Sequence, residues 1–107
     1  MDLPEAIRLG CTMSKPNKTT LQEFRYGEIY ACALGAAALA VGIHCYDVDD
    51  DETDAYDALF AMWPELNSEL ERSGLELIDR IAHKNDGLSW TRERIADWVE
   101  EQLRARG

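Results

Sequence analysis

Three cysteines and two histidines are the residues of this chain best suited to nucleophilic or metal chemistry. Asp79 and His83 stand one helical turn apart, the spacing at which a carboxylate orients an imidazole, and Cys32 is the thiol such a base would activate. No sequence feature brings Cys32 to that face, and a thiol in a run of alanines reads as a small hydrophobe. His44 and Cys45 are adjacent and would need Cys11 or His83 to complete a zinc set. Zinc wants four convergent ligands, and these spacings match no ligand pattern. Gly35 and Gly42 are not followed by Gly-Lys-Ser/Thr, so they form no phosphate loop. The expectation is no catalytic residue, no metal site and no cofactor, which leans away from an enzyme without deciding the matter.

The charge is more informative. The chain has 107 residues and a net charge of −10, from 11 basic and 21 acidic side chains. Residues 1–42 carry four of each sign, residues 72–107 seven of each, and residues 43–71 ten acids and no base. Asp47, Asp49, Asp50, Asp51, Glu52, Asp54 and Asp57 fall within eleven positions. One reading is a solvated loop whose acids favour the positive end of the following helix. A second is calcium, since Asp47, Asp49 and Asp51 match the first ligands of an EF-hand loop. Glu52 then stands where the turn needs glycine, and Ala58 where a bidentate glutamate is required. The third is a docking surface for a basic protein, in its strong form a mimic of nucleic-acid phosphates.

These residues must be positioned by a small molecule. The length allows about one domain, and 46% hydrophobic with 30% charged residues describes a globular chain. So acidic a protein is not expected to bind nucleic acid directly or to sit on an anionic membrane. No signal peptide is visible, the apolar run 29–43 is shorter than the roughly 18 residues of a span, and the odd cysteine count suits reduced thiols. A cytoplasmic location is therefore expected.

Helical signals dominate. Asp2 and Glu5 make a capping-box variant with Pro4 in the first turn, predicting a helix over about 3–12. Residues 14–27 have loop composition, with Leu21, Phe24 and Tyr26 able to anchor an irregular element or a brief strand. From Glu28 the run IYACALGAAALAVG lacks a polar face and predicts a central helix buried on nearly every side, ending near Gly42. Its small residues, Ala31 with Gly35 and Cys32 with Ala36 and Ala40, would let neighbouring backbones approach. Tyr56, Leu59, Phe60 and Trp63 form a core-facing stripe over about 53–63, stopped by Pro64. A further helix starts near Ser73, turns Leu75, Ile78, Ile81 and Ala82 inward, and ends at Asn85-Asp86-Gly87. Thr91 caps the last helix, with Trp90 placed to staple Ile95 and with Ile95, Val99 and Leu103 on its apolar face. The expected fold is all-α: a single-domain orthogonal bundle of about five helices around the alanine-rich one, spanning 1–107, with an acidic loop at about 44–54.

Two stretches, CALGAA at residues 32–37 and HKND at 83–86 followed by WTRERIADWV at 90–99, resemble a group of small uncharacterised bacterial and phage-type proteins. The resemblance covers about a quarter of the chain and implies an organisation without an activity. Such proteins often carry a cysteine pair in the middle segment, where this chain has its acids. The same residues read physically as close packing, a helix stop and a helix cap, with His83, Asn85 and Asp86 available to line a small pocket. The function expected from these readings is a non-enzymatic interaction or regulatory module, able to form a homo-oligomer, that docks a basic protein through the acidic segment. The alternative is a phage or mobile-element inhibitor that mimics nucleic acid, and an enzyme or metalloprotein using Cys32, His44, Cys45 or His83 ranks third.

Overall fold

The structure is a computed structural model, and it describes residues 1–18, 20–46, 52–67 and 76–106. Helix α1 (Leu3–Cys11) starts where the local chemistry predicts: the Asp2 carboxylate accepts the Glu5 N–H at 2.9 Å, and Pro4 occupies the first turn, where its missing donor costs nothing. Leu3, Ala6 and Ile7 are fully buried along one side.

The all-α expectation is overturned by the next segment. Strands β1 (Lys15–Pro16), β2 (Gln22–Arg25) and β3 (Glu28–Ala31) form a mixed sheet in the order β1-β3-β2. β1 runs parallel to β3, whereas β2 pairs antiparallel with it from Gln22 opposite Ala31 to Arg25 opposite Glu28. Tyr26 and Gly27 join β2 to β3 with φ of +52° and +77°. Two left-handed residues in succession make the two-residue turn whose twist matches a β-hairpin. The helix expected from Glu28 is therefore a strand for its first turn, where branched Ile29 and aromatic Tyr30 suit a pleated surface.

Helix α2 (Ala33–Ala40) begins only after Cys32, whose Sγ accepts the Gly35 N–H at 3.4 Å. It ends in a Schellman motif: Gly42, at φ +82°, donates to Leu39 O at 3.1 Å, and Ile43 donates to Ala38 O at 2.8 Å. Residues 33–39 are all buried. Small residues make this possible, because a Cβ on Gly10 of α1 would lie 1.8 Å from Ala36 O, and one on Gly35 would lie 1.8 Å from Leu21 O.

Helix α3 (Glu52–Met62) buries Ala55 and Leu59, with Trp63 following, and Pro64 opens a 3-10 turn (Pro64–Asn67). Helix α4 (Leu77–Ala82) continues into a wide π turn (His83–Gly87), and α5 (Arg92–Arg106) closes the chain. Ile78 and Ile81 of α4 are buried as expected, but Ala82 is exposed and Leu77 takes the inward place. Leu75 and the start expected near Ser73 lie outside the described residues. Thr91 caps α5 by accepting the Arg94 N–H at 3.1 Å, and Ile95 and Val99 are fully buried. Residues from all five helices join one apolar cluster, with Leu21 from the loop just before β2. Among the described residues no helix is long and apolar enough to cross a membrane.

Candidate functional site

Of the acidic segment, Asp47, Asp49, Asp50 and Asp51 lie outside the described residues, as does the calcium pattern they would begin. Glu52 is the first residue of α3, so the helix starts inside the stretch expected as a loop at about 44–54. Asp54 and Asp57 are exposed on α3, away from the buried line of Ala55, Leu59 and Trp63, and neither has an ion-pair partner among the described residues. Several cations are engaged elsewhere. Arg8 reaches Asp97 at 2.7 Å and Glu100 at 3.3 Å, Lys15 reaches Glu28 at 2.5 Å, and Arg25 reaches Glu23 at 3.0 Å. Arg104 pairs with Glu100 one turn before it at 3.6 Å.

The second feature is a set of buried polar side chains at the joint between the sheet, α2 and α5. Asn85, in the π turn, is 5% exposed. Its Oδ1 accepts the Ala33 N–H at 3.1 Å, and that amide, in the first turn of α2, has no intrahelical partner. Its Nδ2 donates to Asn17 O and to Asp86 Oδ1, both at 2.9 Å. Arg92, the first residue of α5, is 6% exposed and crosses to the strands. Nη1 donates to Ser14 Oγ at 2.8 Å and to Ala31 O at 3.3 Å, and Nη2 donates to Ser14 O at 2.9 Å. Gln22 ties the other side of the sheet, with Nε2 donating to Gly35 O and Ile43 O at 3.0 Å and Oε1 accepting the Cys45 N–H at 2.8 Å. Sequence reasoning missed Gln22 and Arg92, since neither residue type signals burial.

Lys84 is a further buried cation that it missed. Its Nζ lies 4.2 Å from the Trp90 ring centroid and 4.4 Å from that of Trp98, while the Arg94 guanidinium sits 3.7 Å from Trp90. Two indole faces attract the ammonium that burial, with Arg80 and Arg94 nearby, pushes below its ordinary pKa. Trp90 is thus ringed by cations, whatever it contributes to stapling Ile95.

Asn85 and Asp86 line a cavity of about 30 Å³, room for about one water, together with Cys32, Thr20 and Tyr56. His83 does not line it; the imidazole lies on the exposed side of the turn, close enough that a Cβ on Gly87 would meet Nδ1 at 2.9 Å. Cys32 and Cys45 are buried, Cys11 is half-buried, and all three are unbridged. Burial pushes the Cys11 thiol up to about 11, opposed by the charge of Arg92 and aided by that of Glu93. His44 packs edge-on against Tyr46, with ring centroids 5.5 Å apart. Among the described residues no three histidine, cysteine or acidic side chains converge in a way that could hold a metal ion.

A larger pocket, about 400 Å³, opens between residues 16–18 and residues 89–93 at the start of α5, with Asn85 and Arg92 in its wall. No protein-family model, curated protein or solved structure matches this chain.

Proposed function

We propose that the chain is a non-enzymatic interaction module that docks a basic protein surface through its acidic segment. The observation that supports this most directly is the segregation of charge: ten acids and no base in residues 43–71, with Asp54 and Asp57 exposed on α3. Acids that only capped a helix would favour its first turn, yet Asp57 stands in the second turn of α3, beyond the reach of the terminal dipole. Carboxylates held on a rigid helix face present a fixed pattern to a cationic partner, which serves specificity and association rate more than raw affinity. Three unbridged thiols suit a reducing compartment, consistent with action in the cytoplasm.

The test starts from the natural setting. A partner co-purified with the chain from its own cells is repurified, and binding is measured by titration calorimetry for the wild type and for D54K/D57K. The affinity should fall about tenfold or more in the variant, and wild-type binding should weaken steadily as salt is raised. An unchanged affinity in the variant, with its helical circular dichroism intact, would refute the docking surface. Displacement of the partner from DNA or RNA by the wild type would narrow the reading to mimicry of nucleic acid.

A further inference from the structure

Arg80, Lys84 and Arg94 gather beside two indoles where α4, the π turn and α5 meet. Lys84, 7% exposed, rests on the Trp90 and Trp98 rings, and its ammonium feels the charges of both Arg80 and Arg94. Arg94 is exposed and Arg80 half-buried. Among the described residues none of the three forms an ion pair, although Glu76 and Asp79 stand within a turn of Arg80 and the chain holds 21 acids. Like charges held together work against the fold. In a protein of net charge −10, a cationic cluster that the chain's own acids leave open is free to receive carboxylates from outside.

Arg94 is placed to receive one. Its guanidinium lies over the Trp90 ring, 3.7 Å from the centroid. A guanidinium held by its face keeps its N–H donors, which lie in its own plane, for a bidentate partner. The indole also fixes the group in advance, so little side-chain freedom is lost on pairing. Lys84, buried behind it, adds a charge that salt screens poorly. The same chain carries the complement: residues 43–71 hold ten acids and no lysine or arginine. Asp54 and Asp57 are exposed on α3 and form no ion pair among the described residues. They stand one turn apart, which sets their Cβ atoms about 5–6 Å from each other on one face.

We infer that the acidic face of α3 docks on the Arg80, Lys84 and Arg94 patch of a second copy of this chain, with Asp54 and Asp57 received by the two guanidiniums. Two such contacts related by a twofold axis close a dimer, in which each copy offers its acids and receives those of the other. Opposite charges on separate surfaces of one chain are the complementarity that steers two copies together and fixes their register. This rests on the docking reading of α3 and names the basic surface as the chain's own.

The test is sedimentation equilibrium of the whole chain at low ionic strength. The wild type should be dimeric and should dissociate as salt is raised. D54K/D57K and R80E/R94E, with helical content checked by circular dichroism, should each be monomeric alone, because each sets like charges against one another at both contacts. Mixed in equal amounts they should regain the dimer mass, since every contact then joins opposite charges. A monomeric wild type, a variant that stays dimeric alone, or a mixture that stays monomeric would each overturn the dimer. A monomeric wild type that binds single-stranded DNA, with the binding lost in R80E/R94E, would overturn it by giving the patch to nucleic acid. If the wild type is monomeric and a different co-purified protein still requires Asp54 and Asp57, the docking reading survives and only the second copy is removed.

Discussion

Asn85 shows how one side chain can hold a joint. It serves an amide of α2 and a carbonyl of the β1–β2 loop at once, so Asn85→Ala should cost about 2 kcal/mol, read as a lower urea midpoint at unchanged slope. An unshifted midpoint would mean that water replaces both bonds. Cys11 makes a separate prediction. With its pKa raised from 9.0 to about 11, the thiolate fraction at pH 8 is about a hundredfold below that of an ordinary thiol. Alkylation of Cys11, followed by peptide mass spectrometry, should be correspondingly slow and should accelerate as pH rises toward 11; labelling at the free-thiol rate at pH 8 would contradict the burial. The caps at Asp2 and Thr91 were legible in the sequence because a cap and its amide lie three residues apart. Asn85 and Arg92 were not, because, apart from Asp86 beside Asn85, their acceptors and donors lie 52 to 78 residues away and only the fold brings them together.

At the scale of elements, five helices were readable from periodicity, and the sheet was not. The apolar run from Ile29 has no polar face in either a helix or a buried strand, so periodicity cannot locate the change from one to the other at Cys32. The hairpin signal was also weak, since Tyr26 stands where asparagine is usual in such a turn. Tyr26 is 94% exposed and left-handed, so Tyr26→Asn should stabilise the protein by about 0.5–1 kcal/mol, seen as a higher melting temperature. Of the small residues read as a means of close approach, Gly35 and Ala36 do meet neighbouring backbones, whereas Ala31 stands in β3 and Cys32 caps the helix. Gly35→Ala places a methyl against the Leu21 carbonyl and should destabilise by about 3 kcal/mol or more in chemical denaturation, whereas a loss under about 1 kcal/mol would show that the strand can retreat.

The whole molecule has a radius of gyration of 12.9 Å, as expected for a compact chain of about this length. Its interior is stitched by Gln22, Asn85 and Arg92, and its charge is unevenly spread, with acids gathered in residues 43–71 and the cations Lys18 and Arg92 in the wall of the pocket beside α5. Net charge and its segregation were legible because counting needs no fold. The pocket was not, because Lys18 and Arg92 are 74 positions apart in the numbering and line one opening only once the fold has formed. The docking reading is tested most directly by mapping where a co-purified basic partner lands, using amide shifts and line broadening of the labelled chain. Effects centred on the exposed face of α3, at Asp54 and Asp57, and suppressed by salt are the predicted result. A footprint elsewhere on the molecule, with the amides of α3 unmoved, would contradict it.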